Sequence, residues 1–459
     1  NCLCSLNQDF FIHLSPNDNL ETIKDSQVHS DELLAAFQRK DPIPFDTVPD
    51  ISTWLPSIEI GGFQLNTENF QQLYLFIILS SRIKKCLTKT NFPLWHVHSR
   101  DLLSSKAAQF EIEKIFDDGF QMKDDASPEL KQLIRSVSNT EENINKTMQH
   151  VFLRAKEENW LGGDQVVLRN GRSVLPLKTS QKRKVKGIIQ DQSSTGQTAF
   201  VEPLEIIELN NQLTELQFKI TEEKQRILRE LTAYFQPMSS DIQQSFNILK
   251  FIDRHFTTAK LAHHIKAIRP EINTGEPINI KKAINPLFTL TGKKAVALDL
   301  ELKNEKILLL SGPNAGGKTV VLKSLGLYAL MAQCGLFIPA EEVQLPIFTQ
   351  FMSDIGDGQS IENDLSTFSA HIQNLAVIVD SAHENSLILL DELGTGTDPD
   401  AGAALSQAIL ESLLHKNSMV VATTHLGSLK VWASDENGIV NGGMIFDSDA
   451  LAPTYELLI

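Results

Sequence analysis

The sequence predicts a multi-domain chain. A mostly α-helical core with two long helical arms carries a small β-rich module, and an α/β domain with a largely parallel sheet follows. Three observations support this. Helical periodicity runs from Leu130 to about Trp160 and again from Leu209 to Leu231. Between the two, residues 165–201 break into short apolar runs separated by turn material such as "RNGR" and "DQSSTGQ". From about residue 280, buried-strand patterns alternate with helical ones, the order of a parallel α/β sheet.

Composition narrows the class. With 42% hydrophobic and 22% charged residues over 459 positions, the chain is globular, which excludes a disordered protein and suits roughly two to four domains. Cys2 and Cys4 are too close for an easy mutual bridge. Neither they nor Cys86 and Cys334 have metal-ligand spacing with histidine, so a reducing, cytoplasmic setting is expected. The longest apolar stretch, 320–340, carries Lys323, Ser324 and Gln333 and reads as a buried helix, so no membrane partner is expected. No signal peptide is visible, but the first residue is Asn, and we expect a fragment of a longer protein. A net charge of −15 and a pI near 5.3 exclude a basic coat over the whole surface while leaving room for a local patch.

In chain order, residues 1–125 read as an N-terminal helical core, with periodicity over 68–87 and no catalytic constellation. The first arm, 126–160, opens on Ser127 as a cap, with Pro128 at the first helical position and Glu129 suited to the helix dipole. Leu130, Leu133, Ile134, Val137, Ile144, Met148 and Phe152 then form its apolar stripe. The module, 161–205, carries the runs Val166–Leu168, Val174–Leu177, Val185–Ile189 and Ala199–Val201. The second arm and its return occupy 206–270, and the α/β domain 271–459.

One patch stands out. Residues 165–190 hold Arg169, Arg172, Lys178, Lys182, Arg183, Lys184 and Lys186, and no Asp or Glu. A charge run is ordinarily a solvated loop, but this one lies between two arms, where seven cations suit nucleic-acid phosphates. No aromatic interleaves before Phe200, so backbone and shape contacts are expected rather than base stacking.

The α/β domain carries the chemistry. "GPNAGGKT" (312–319) follows a buried strand and opens a helix, as a phosphate loop requires. Gly312, Pro313, Asn314, Ala315, Gly316 and Gly317, with Lys318, Thr319 and Val320, are expected to hold the phosphates of ATP at a helix N-terminus. Lys318 would reach the β- and γ-phosphates, and the Thr319 hydroxyl would ligate Mg²⁺. In "LILLDE" (387–392), Asp391 emerges at the carboxyl end of a buried strand to share that Mg²⁺. Glu392 beside it is free to orient and deprotonate the attacking water. His425 ends the strand "VVATTH" and can hydrogen-bond the phosphoryl group or the water. Upstream, "NDLSTFSAHIQ" (363–373) crowds Ser366, Thr367 and Ser369 into one helix start, where a cap uses a single such residue.

The phosphate loop, the Asp-Glu pair, the loop "LGTGTD" (393–398) and the strand-end histidine together resemble the ATP-binding-cassette class. That resemblance implies that Ser366 and its helix N-terminus complete the γ-phosphate site of a second subunit, so a homodimer is expected and one subunit alone should hydrolyse poorly. The Leu-Ser-Gly-Gly-Gln of transporters is absent. More closely, "GPNAGGKT", "STF" twenty-five residues before Asp391, "DELGTGTD" and "TTH" resemble the MutS family of DNA-repair ATPases. "EIGG" (59–62), "RNGRSVLPLK" (169–178), "DQSSTGQTAFVEP" (191–203) and "ELNNQL" (208–213) are similar to its type-two bacterial branch, and the likeness covers nearly the whole chain.

The resemblance implies lever helices, a β clamp module at their tip and an ABC-type P-loop ATPase domain that dimerises. It also implies a clamp on branched or structured DNA that restrains recombination. A role on stalled or collided ribosomes, through rRNA, is associated with the same branch. The family places some adenine contacts at "KKAVALDL" (293–300). Departures from the pattern matter as well. Phe200-Val-Glu202 matches the letters of the mismatch wedge, yet it precedes Pro203 inside the module and reads as packing, so mismatch recognition is not expected. The branch continues into a dimerisation tail and a nuclease domain, and "PTYELLI" (453–459) falls short of both. We therefore expect a chain truncated at both ends and assign cleavage to no residue in it. A structural, SMC-like coiled-coil ATPase fits least, because the arms are only about thirty residues long.

Overall fold

The computed structural model describes residues 3–89, 91–275, 277–312, 316–356, 364–447 and 452–459, with the side chains at 6, 364–370, 446, 447 and 452 outside the description. The helices are, in order, α1 (Leu6–Ile12), α2 (Leu20–Gln38), α3 (Thr67–Leu87), α4 (Pro93–Ser99), α5 (Lys106–Ile115), α6 (Pro128–Glu157), α7 (Leu204–Phe235) and α8 (Ser239–His264). They continue with α9 (Pro286–Thr291), α10 (Lys318–Gln333), α11 (Asp364–Ser381), α12 (Pro399–His415) and α13 (Gly427–Asp435). The chain separates into two compact units. One comprises Pro49–Arg82 and Asp101–Phe246; the other comprises Asn1–Val48, Ile83–Arg100 and Asn247–Ile459.

The 49–246 unit contains both long helices and the β-module. Ser127 caps α6 by accepting from Leu130 N–H at 3.0 Å, and its hydroxyl donates to the buried Glu223 of α7 at 2.5 Å. The helix predicted to about Trp160 stops at Glu157. Asn159 turns left-handed (φ 57°), and Trp160 N–H returns to Ala155 O at 2.9 Å, a Schellman closure. The module is a four-stranded antiparallel sheet: β1 (Val167–Arg169), β2 (Arg172–Lys178), β3 (Gly187–Gln192) and β4 (Thr198–Pro203), in the order β1-β2-β4-β3. Alternate residues of β2 and β4, among them Leu175, Leu177, Ala199 and Val201, bury one face against Met148, Val151 and Ala155 of α6.

The other unit is built on a six-stranded sheet. The remaining strands are β5 (Glu271–Asn273), β6 (Ile278–Ala283), β7 (Leu298–Leu302), β8 (Ile307–Ser311), β9 (Glu342–Pro346), β10 (Gln350–Asp354), β11 (Ser386–Leu390), β12 (Met419–Thr423), β13 (Ile439–Asp447) and β14 (Ala452–Leu458). The large sheet runs β10-β11-β12-β8-β13-β14, parallel except for the antiparallel β13–β14 pair. Every residue of β8 and β12 is buried, and the two faces take alternate residues. Leu308, Leu310 and Val421 pack with Leu322, Leu325 and Ala329 of α10. Ile307, Leu309, Val420 and Ala422 pack with Leu375 of α11, Leu410 of α12 and Leu429 of α13. Strands buried on both faces explain why these segments read as unbroken apolar runs. Truncating one such leucine to Ala should cost about 2–5 kcal/mol.

Two features were not foreseen. A second, mixed sheet, β5-β9-β6-β7, joins 271–302 to 342–346. The helix predicted over 320–340 ends at Gln333, because Gly335 takes φ 74° and Leu336 N–H closes on Met331 O at 2.8 Å. Among the described residues, no helix is long and apolar enough to cross a membrane.

Candidate functional site

The sheet order places β11, β12 and β8 side by side, so their carboxyl ends open onto one spot although 112 residues separate Ser311 from Thr423. That spot is where parallel α/β sheets hold ligands. Gly312 leaves β8 with φ 134°, and Gly317 starts α10 with φ 96°, conformations that side-chain-bearing residues rarely adopt. A Cβ on Gly317 would also lie 3.1 Å from the Tyr455 ring. Pro313, Asn314 and Ala315 lie outside the described residues; Gly316 is buried and Val320 exposed.

Lys318, only 5% exposed, donates from Nζ to Gly312 O at 2.6 Å and lies 3.4 Å from His425 Nδ1. Burial pushes its ammonium below the usual lysine range, and the carboxylates of Glu392 and Asp391 partly restore it. With Nδ1 facing the lysine, the imidazole turns Nε2 toward Glu392 Oε1, 3.8 Å away. Thr319 Oγ1 stands 3.3 Å from Asp391 Oδ1. Lys318, Thr319, Asp391, Glu392 and His425, drawn from three separate stretches of sequence, are therefore assembled at one place. A hydroxyl and a carboxylate oxygen are donors that suit Mg²⁺, which takes few protein ligands and completes its shell with phosphates and water. A buried ammonium in a left-handed glycine cradle suits the phosphates themselves.

Ser366 falls within α11, but its side chain lies outside the described residues, as do those of Thr367 and Ser369. Further along α11, His371 Nδ1 pairs with Asp354 Oδ2 at 2.5 Å, and Asn374 donates to Asp354 Oδ1 at 2.8 Å. Asp354 ends β10, and its carbonyl accepts from Asp391 N–H at 2.9 Å, so the same residue touches α11 and Asp391. The Asp354 carboxylate raises the His371 pKa.

The seven module cations divide by environment. Arg172 is committed: it donates to both oxygens of Glu202 at 2.8 and 3.1 Å and to Asn211 Oδ1 at 2.8 Å. Glu202 is fully buried and also accepts from Gln190 and Asn210. Arg169 lies 4.6 Å above the Phe200 ring and 3.4 Å from Asp191, and Lys178 caps Asn159. Phe200 and Glu202 are thus core residues of the module and present no wedge. Lys182, Arg183, Lys184 and Lys186 follow one another around the bend between β2 and β3, where Val185 alone turns inward. Among the described residues these four make no side-chain pairing.

Residues 308–453 match the family model MutS domain V. Three curated relatives align along practically the entire chain. Endonuclease MutS2 of Alkaliphilus oremlandii is 38% identical over 100% of this chain and 58% of its own length. Endonuclease MutS2 of Caldicellulosiruptor saccharolyticus is 37% identical over 98% and 57%, and that of Bacillus velezensis 36% over 99% and 58%. The chain belongs to the MutS2 family. It spans somewhat over half the length of these MutS2 relatives.

Beside the MutS2 phosphate loop lies a largely apolar cavity of about 340 Å³ that begins at Gly317. Lys294 to Leu298, within the stretch singled out for adenine contacts, form one wall, while Phe288 of α9 and Tyr455 of β14 supply aromatic rings. Neither ring was identifiable from sequence, since each reaches the loop only through the packing of elements remote from it in the chain.

Proposed function

We propose that this chain is the ATP-hydrolysing and nucleic-acid-gripping part of a MutS2 clamp. The convergence of Lys318, Thr319, Asp391, Glu392 and His425 at adjacent strand ends carries the reading. ATP would enter with its phosphates on the 312–320 loop and its base in the cavity beside Phe288 and Tyr455. Thr319 and Asp391 would hold Mg²⁺, which when bound would supply positive charge against the phosphates. Lys318 adds a buried positive charge on the phosphate side, where charge builds during transfer. Glu392 accepts a proton from water as the water oxygen bonds to the γ-phosphorus. The bond to the β–γ bridging oxygen breaks, ADP leaves with that electron pair, and inorganic phosphate is released. His425, held between Lys318 and Glu392, donates toward the transferred group.

By the same reading MutS2 works in the cytoplasm as a homodimer, with Ser366 acting in trans, α6 and α7 as levers and 161–205 as the clamp. The four unpaired cations on the bend after β2 give that clamp a grip on phosphates, without a wedge residue beside them. Branched or structured DNA and restraint of recombination are the proposed target and outcome. The relatives are named endonucleases, and cleavage is assigned to no residue of this chain.

The test uses Glu392→Gln in the full-length protein, which should bind ATP, turn it over slowly and hold its clamped state. Recovered from cells, it should carry DNA that DNase removes. Co-sedimentation with ribosomes that ignores DNase would replace DNA by rRNA as the target. Turnover at the unmodified rate would remove Glu392 from the chemistry.

A further inference from the structure

We infer that Thr423 is the positioning residue of the hydrolytic pair, setting Asp391 and Glu392 together through one hydroxyl. The inference rests on the ATPase reading above and concerns a side chain to which that reading gives no role. Thr423 ends β12 and is fully buried. Its Oγ1 accepts the Glu392 N–H at 2.8 Å and lies 2.6 Å from Asp391 Oδ1. A hydroxyl has one proton, and a carboxylate can only accept, so the direction is fixed: the proton goes to Asp391 and a lone pair receives Glu392 N–H.

The backbone explains why such a fastening is needed. Glu392 takes φ 51°, left-handed for a residue with a long side chain. That conformation persists only where neighbouring contacts over-determine it. Here they do: Leu393 N–H donates to Thr423 O at 2.8 Å, and Thr395 closes on Glu392 O with its N–H at 3.2 Å and its hydroxyl at 2.9 Å. The bend carries the Glu392 side chain to the solvent-accessible side, facing His425, while Asp391 stays 7% exposed beneath it. One hydroxyl thereby couples the metal-side oxygen to the orientation of the base. Only Ser or Thr offers donor and acceptor in that volume. Valine keeps the shape and removes both bonds.

The test compares Thr423→Val, Thr423→Ala and Thr423→Ser with the parent in the full chain. ATP binding is measured with and without Mg²⁺, and turnover is expressed per ATP-binding site so that unfolded protein is not counted. Both Val and Ala should lose about 10- to 100-fold in kcat, the usual cost of removing an outer-shell partner of a metal ligand. Mg²⁺-free ATP affinity should stay within about threefold, and the Mg²⁺ needed for half-maximal turnover should rise. Ser should recover most of the turnover. Parent-like kcat in Val or Ala overturns the inference, and so does a Ser variant as slow as Val. Loss of ATP binding in both Val and Ala also overturns it, since the residue would then support the fold of the site and not its alignment. A parent protein with no turnover would instead sink the ATPase reading.

Discussion

Neutralising the bend after β2 gives the sharpest test of the clamp assignment, because the structure separates cations that are free to meet phosphates from those already used. The perturbation is the quadruple change Lys182→Gln, Arg183→Gln, Lys184→Gln and Lys186→Gln. Each phosphate neutralised on duplex DNA contributes about 0.9 to the slope of log affinity against log salt, so four contacts account for a slope of about 3.6. Between 50 and 200 mM salt, that slope corresponds to about two decades of affinity. The control is Arg172→Ala. Arg172 is the cation paired with a fully buried Glu202, so its loss leaves Asn210 and Gln190 to hold a buried carboxylate. Removing one partner of such a pair should cost about 2–3 kcal/mol of stability, less than a fully enclosed pair because Arg172 is partly exposed. The assay is fluorescence anisotropy on a labelled branched duplex at stepped salt, beside thermal unfolding of each variant. The quadruple variant should melt like the parent and bind with a flatter salt slope. Arg172→Ala should melt earlier and keep the parent slope while folded. An unchanged slope in the quadruple variant refutes the assignment of these residues to phosphates. Equal flattening by folded Arg172→Ala would refute the division between paired and free cations.

Two further predictions concern the other unit. Lys318→Ala should reduce phosphate release from ATP by more than about a hundredfold, since it removes a buried donor from where charge develops; unchanged release would withdraw the phosphate-loop assignment. His255 lies among His29, Trp95, His98 and Phe251 and hydrogen-bonds Ser30 at 2.8 Å. Burial, with His29, Arg254 and His98 nearby, pushes its pKa down to about 3. A group depressed on folding contributes stability that is intact above its unfolded pKa near 6.5 and lost as pH falls toward 3, here at about 1.4 kcal/mol per pH unit. Thermal unfolding should therefore weaken steeply below pH 6.5. His255→Gln should melt lower at neutral pH, through lost packing, yet show a slope shallower by about one proton; parallel slopes would exclude His255 as the source.

What sequence could and could not deliver follows from the range of each interaction. Lys318, Asp391, Glu392 and His425 were legible because glycine spacing and buried strands are local patterns with few other uses. Thr423 was not, since a threonine in a strand is ordinary β-former material until the β11–β12 pairing, which ends at Leu390 opposite Ala422, brings its hydroxyl to Asp391. Asp354 and His371 were hidden for the same reason: their meeting depends on where α11 docks. The β5-β9-β6-β7 sheet escaped notice because β9, one of its two inner strands, arrives from some sixty residues downstream of β6. In the module, charge counting treated seven cations alike. The β2–β4 ladder, which sets Leu175 opposite Val201, is what delivers Arg172 to Glu202 thirty residues away.

The end of β12 shows how a parallel sheet turns distance in sequence into precision at a site. Thr423 is the last residue of β12 and Thr424 the first beyond it, and their hydroxyls serve different partners. Thr423 fastens Asp391 and the Glu392 backbone. Thr424 donates to Leu393 O at 3.1 Å and receives Leu426 N–H at 3.1 Å, while its own N–H goes to Leu310 O of β8. The loop after β11 is thus held by both threonines, and the chain leaving β12 is turned by the same Thr424 hydroxyl that holds the loop. His425 follows these two anchors directly and lies 3.4 Å from Lys318 Nζ through its Nδ1. Its placement is a consequence of the two threonines before it. The segment "TTH" therefore acts as a single three-residue clasp, closing β11, β12 and β8 over the position where a phosphate would be cut.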